Sequence, residues 1–140
     1  MTYREKSAWL MLLVTLMVGV YMASEVLLTV LEQRHLPPVL PVFITLTVTL
    51  IGLSIIAQIG LSVFHPDEAR QKSDERVKGI ANRAQAIAGV VLSIGVAGAL
   101  VRFLFLSDGT VLFYTCLLSL VVAQSVEYAG QIIGFRNAGV

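Results

Sequence analysis

Charge is scarce in this chain. Only 14% of its 140 residues are Asp, Glu, Lys or Arg, against about 25% in a soluble domain. There is one cysteine, Cys116, so an internal disulfide is excluded, and its place in an apolar run makes it a small packing residue. The two histidines, His35 and His65, flank an apolar run and fall on opposite sides of any membrane that run crosses, so they cannot share a metal ion. His65 sits in "FHPDE" beside Asp67 and Glu68, as an interfacial histidine at a helix end. No Cys/His constellation, phosphate-binding glycine loop or nucleophile elbow is present. The sequence therefore offers no catalytic residue, cofactor site or metal site, and reads as non-enzymatic.

Hydrocarbon is abundant. The chain is 56% hydrophobic, with a mean hydropathy of +0.83. Four apolar runs fall roughly at 9–31, 39–64, 84–106 and 110–135. Each has about 20 residues or more, enough to cross a ~30 Å hydrocarbon core as a helix. The first run follows "MTYREK" and has the outline of a secretory signal, but it exceeds a signal's h-region and no small-residue cleavage site follows it. It is expected to be a mature span. The fold class is thus an all-α integral membrane protein, one domain over residues 1–140, with four transmembrane helices arranged as two antiparallel hairpins.

Orientation follows from basic residues. Eight of the ten (Arg4, Lys6, Arg70, Lys72, Arg76, Lys78, Arg83 and Arg136) share one side, and only Arg34 and Arg102 lie near the other. The positive-inside rule then places both termini in the cytoplasm. Pro37, Pro38 and Pro41 mark the first outer turn, and Asp108-Gly109 the second. Aromatic residues stand at the expected interfaces, with Tyr3, Trp9 and Phe135 inside and Phe113 and Tyr114 outside. A faint parallel repeat shifts Phe43, Thr45, Thr49 and Gly60 onto Phe113, Thr115, Ser119 and Gly130; chance likeness among apolar letters is the alternative.

Polar residues within membrane spans are costly, so each is a candidate site. Glu25 and Arg102 fall at comparable depth in the outer leaflet, where they either pair or separate, with Arg102 snorkelling. Gln124, Glu127 and Gln131 follow one another by three and four on one face of the fourth span, with Gln58 of the second at similar depth and Tyr128 and Ser125 angled away. This set is either interhelical glue or a proton- or cation-binding site in a ligand cavity or small transporter. Gly130-x-x-x-Gly134, with looser versions at Gly19, Gly89 and Gly95, suits close packing within the bundle or between two copies.

The densest charge lies in "SDERVKGIANRAQAIAGVV", residues 73–91. Ser73 can cap a helix whose first turn holds Asp74 and Glu75, where the helix dipole favours acids. Val77, Ile80, Ala84 and Ile87 form an apolar stripe, and Arg76 and Arg83 share a second face. The third helix is therefore expected over 74–106, extending ~15 Å beyond the membrane. Its amphipathic start either lies back on the bilayer or receives a partner; anchoring the helix is the plainer role for its basic residues.

"DERVKGIANRAQAIA" resembles a D-E-R-D-x-x-I-x-x-R-x-x-R signature of a family of small, uncharacterised prokaryotic four-helix membrane proteins, and "YREKSAWLMLL" resembles their N-terminal start. Asp74, Glu75, Arg76, Ile80 and Arg83 match; Val77 replaces an acid and Ala86 an arginine. Genes of that family often neighbour those of small helix-turn-helix regulators. The resemblance implies a cytoplasmic-membrane protein that docks a cytoplasmic regulator through residues 65–83, with no direct contact to nucleic acid. The alternative is a small transporter or ligand-binding bundle using Glu127 or Glu25. Besides the bilayer and such a regulator, a second copy of the chain is the remaining candidate partner.

Overall fold

A computed structural model describes residues 2–69 and 75–139. It contains α1 (Tyr3–Gln33), α2 (Val39–Phe64), a short α3 (Pro66–Ala69), α4 (Glu75–Leu106) and α5 (Gly109–Ala138). Four of these are long and apolar enough to span a membrane. The chain is an all-α, multi-pass membrane protein. Large apolar side chains such as Leu16, Val48, Ile94 and Leu104 are exposed on its helices, and the bilayer is the solvent that covers them.

The ends follow backbone chemistry more than hydropathy. Thr2 Oγ1 accepts from the Glu5 amide at 3.3 Å and starts α1 six residues before the apolar run. Pro38 is the N-cap of α2, and Pro41 falls within its first turn, where a missing N–H costs nothing. Asp108 caps α5, its Oδ1 accepting from the amides of Thr110 and Val111 at 3.0 and 3.3 Å. The expected Asp108-Gly109 turn is corrected accordingly. Gly109 is already helical, and the left-handed residue is Ser107, with φ 50°. At the far end of α5, Gly139 has φ 66° and closes the helix with its amide on the Arg136 carbonyl.

In space, α5 is the hub. It packs along α4 on one side and α1 on the other, while α2 leans on α1. Two small clusters form the interior. Ala8, Val77, Ile132 and Phe135 meet at the end bearing both termini, the terminal end. Val18, Met22 and Leu46 meet toward the end bearing the helix–helix turns, the turn end.

The α4–α5 contact is a seam of small residues. A Cβ on Gly95 would strike Ser119, one on Gly130 would lie 3.2 Å from Ala84 Cβ, and one on Gly134 would strike Ile80. Eleven residues separate Gly95 from Ala84 and Ser119 from Gly130; four separate Ala84 from Ile80 and Gly130 from Gly134. These equal steps, about three turns and then about one, fix an antiparallel register. Gly19 makes a similar approach to Val121 between α1 and α5. The Gly130-x-x-x-Gly134 motif is thus filled by α4 of the same chain. Gly89, by contrast, has nothing near it.

Candidate functional site

The charged stretch is helical from Glu75 onward. Asp74 and the Ser73 cap lie outside the described residues. Val77 is 6% exposed and packs with Ala8, Ile132 and Phe135, and Ile80 packs against the same cluster. The amphipathic start of α4 therefore neither lies back on the bilayer nor offers its apolar stripe to a partner, because α1 and α5 already cover that stripe. Ile80, a candidate for partner binding, is used internally. Ile87 also departs from the expected stripe. It is 52% exposed, and the buried position is Ala88. Ala88, four residues from Ala84, keeps to the same face of a 3.6-residue turn. Glu75, Arg76, Lys78 and Arg83 are all exposed.

The terminal end is also where α1 and α2 are joined. Tyr3 and Ser62 hydroxyls hydrogen-bond at 3.1 Å, and Ser7 and Gln58 exchange hydrogen bonds at 3.3 and 3.1 Å. Lys6 Nζ and His65 Nε2 lie within hydrogen-bond distance at 2.9 Å. The Nδ1 of His65 is buried and has no hydrogen-bond partner among the described residues. Across the bundle, Arg136 of α5 meets the buried carboxylate of Glu5 at 3.6 Å. At the turn end, Tyr114 Oη donates to the Pro37 carbonyl at 2.9 Å. Tyr114 is thus a buried clamp on the α1–α2 loop and not the interface aromatic its position suggested. Beside it, the Phe43 and Phe113 rings meet edge-on at 5.9 Å.

Between these two fastenings a groove opens. Its floor is α1 (Met11, Thr15, Val18 and Met22), and its walls are α2 and α5. It encloses about 430 Å³. A second cleft, about 250 Å³, continues toward the terminal end and is lined there by Tyr3, Arg4, Ser7, Gln58 and Gln131. Met11 and Tyr128 line both, so the two adjoin as a trough whose second part α4 also walls through Val77 and Ala81.

The intramembrane polar residues divide over this trough. Gln124 lines the groove, and Gln58 and Gln131 line the cleft. Glu127 lines neither; its Oε1 accepts from Gln131 Nε2 at 3.4 Å. Tyr128, set aside by the sequence reading, is the residue that links the two. Gln124, Tyr128 and Gln131, spaced by four and three, were the pattern to follow. Glu25 and Arg102 form no ion pair among the described residues, because α4 packs along α5 and not along α1. Both are exposed. The Lys6–His65 bond, the Glu5–Arg136 pair and the Tyr114 clamp had no sequence signal, since each joins residues 59 or more apart. Among the described residues no three of His, Cys, Asp and Glu gather closely enough to hold a metal. No family model, curated protein or solved structure matches this chain.

Proposed function

We propose that the chain is a non-enzymatic protein of the prokaryotic cytoplasmic membrane, with both termini in the cytoplasm, that docks a cytoplasmic protein on the charged surface of residues 65–83. The observation that carries this reading is the way α4 begins. Val77 and Ile80 are packed inward, so Glu75, Arg76, Lys78 and Arg83 are held as an exposed array on a rigid helix. An array of fixed charges recognises a complementary surface at a smaller ordering cost than a mobile loop does. The crowding of basic residues at this end supports its cytoplasmic placement. The resemblance around Asp74–Arg83 favours a helix-turn-helix regulator as the docked protein.

Co-purification from native membranes tests this. Reversing Arg76 and Arg83 to Glu should lower the yield of the bound regulator about tenfold or more, the scale of a lost charged contact pair. Arg102→Glu, at the opposite end, should leave it unchanged. An unaltered yield with both arginines reversed removes the docking surface. The alternative, a transporter or ligand-binding bundle driven by Glu127 or Glu25, has the trough as its support, yet neither carboxylate lines it.

A further inference from the structure

The groove between α1, α2 and α5 is uncharged. Among the described residues no Asp, Glu, Lys, Arg or His lines it, but five polar side chains do: Thr15, Thr47, Ser54, Gln124 and Tyr128. None of the five has a side-chain hydrogen-bond partner among the described residues. A hydroxyl in a membrane helix can return to the carbonyl four residues back, as those of Thr115, Ser119 and Ser125 do at 2.8 Å. Thr15, Thr47 and Ser54 make no such bond. Thr15 is only 5% exposed, yet it stands unmatched on the groove floor. Hydrocarbon supplies no partner, so each unmatched group carries a free-energy cost that a ligand can offset.

The polar groups gather at one end. α1 runs away from the terminal end, while α2 and α5 run toward it. Thr15, Ser54, Gln124 and Tyr128 therefore fall in the half of the groove nearer the terminal end, and Met22, Phe43 and Leu117 in the half nearer the turns. Thr15 lies twelve residues past the start of α1, ~18 Å along the helix, well within a ~30 Å core. An ionic head group at that depth would have no countercharge in the groove. The space of about 430 Å³ falls in the usual range of small-molecule sites, roughly 300–1,000 Å³. We propose that the groove binds one uncharged, lipid-soluble quinone. Its ring lies between Ser54 of α2 and Gln124 and Tyr128 of α5, and its tail points toward Phe43 and Met22. A quinone ring carries carbonyls on opposite edges, and the two walls offer it hydroxyl and amide donors from opposite sides. This site is separate from the docking surface of residues 65–83, so failure of either leaves the other standing.

Retention by the immobilised full chain in detergent micelles tests this, with decylubiquinone and decylbenzene supplied together and beads without protein as the blank. Decylubiquinone should be retained about tenfold over decylbenzene, the scale of two hydrogen bonds made inside a membrane bundle. Ser54→Ala combined with Gln124→Leu should erase that excess and leave decylbenzene unchanged. Ser54→Trp and Gln124→Trp, each filling the groove from a different wall, should reduce retention of both molecules, with helical circular dichroism unchanged as the check on folding. Equal retention of the two molecules by the unaltered chain overturns the proposal. So does an unchanged excess in the double variant, undiminished retention in both folded tryptophan variants, or a co-purified phospholipid that decylubiquinone does not displace.

Discussion

The two hairpins close in opposite ways. In α4–α5 the helices approach until backbone meets side chain, because Gly95, Gly130 and Gly134 leave room for Ser119, Ala84 and Ile80. In α1–α2 the helices are tied by Tyr3–Ser62, Lys6–His65 and Ser7–Gln58 at one end, and part to leave a groove of about 430 Å³ beyond them. The residues matched by the faint repeat have different surroundings in the two halves. Gly130 sits against Ala84, while its counterpart Gly60 has nothing within 4 Å; Phe43 and Phe113 meet each other across the bundle. In lipid there is no hydrophobic force between helices, so van der Waals contact and hydrogen bonds are the main means of holding them. The α4–α5 hairpin relies mainly on the first, and α1–α2 adds the second to its small Val18–Met22–Leu46 cluster. A contact seam has no room for a ligand; a pair of helices tied at intervals does.

Filling the seam should cost most. Gly134→Val and Gly95→Val each force a side chain into an occupied position, at about 1–3 kcal/mol of bundle stability, measured by reversible unfolding in mixed micelles. Gly60→Val, the matched change in the other hairpin, should fall within about 0.5 kcal/mol of the unaltered chain. Equal losses at Gly134 and Gly60 would erase the contrast. The tie at the turn end comes next. Tyr114→Phe leaves the Pro37 carbonyl unmatched and should cost about 1–1.5 kcal/mol in the same assay. A smaller effect is expected for Gln58→Leu, about 0.6 kcal/mol, typical of an interhelical hydrogen bond between membrane helices. Because that bond holds α2, its loss should raise proteolysis of the α2–α4 connection more than Gly60→Val does. Smallest of all, Arg136→Ala should cost less than about 0.5 kcal/mol, because the guanidinium is 68% exposed and solvent screens its attraction to Glu5.

The spans were legible because hydropathy is a local property. Val39–Phe64 coincides with its apolar run, and Glu75 lies in the first turn of the described part of α4, where an acid is expected. α1 and α5 run past their apolar stretches because caps, not hydropathy, end a helix: Thr2 for one, Gly139 for the other. The glycine motif was legible as a close contact, but not its partner. Which residues meet across helices depends on rotation and register, and a 3.6-residue period read by eye assigned Ile87 to a face that belongs to Ala88. The polar face of α5 was half read. Gln124 and Gln131 reach the trough, Glu127 does not and Tyr128 does. A few tens of degrees of helix rotation decide that, and they are set by glycine packing against α4.

Cysteine cross-linking in a Cys116→Ser background examines the contrast between the hairpins most directly. A pair at Ala84 and Gly130 spans the seam, where a Cβ on Gly130 would lie 3.2 Å from that of Ala84, a few tenths of an ångström inside the separation of roughly 3.5–4.5 Å in a disulfide. A pair at Ser54 and Gln124 spans the groove, one on each wall. In native membranes under mild oxidation, the seam pair should form its disulfide to completion and the groove pair should stay reduced. Efficient cross-linking of Ser54→Cys with Gln124→Cys, or a seam pair that fails to close, would contradict the division into a sealed hairpin and an open one.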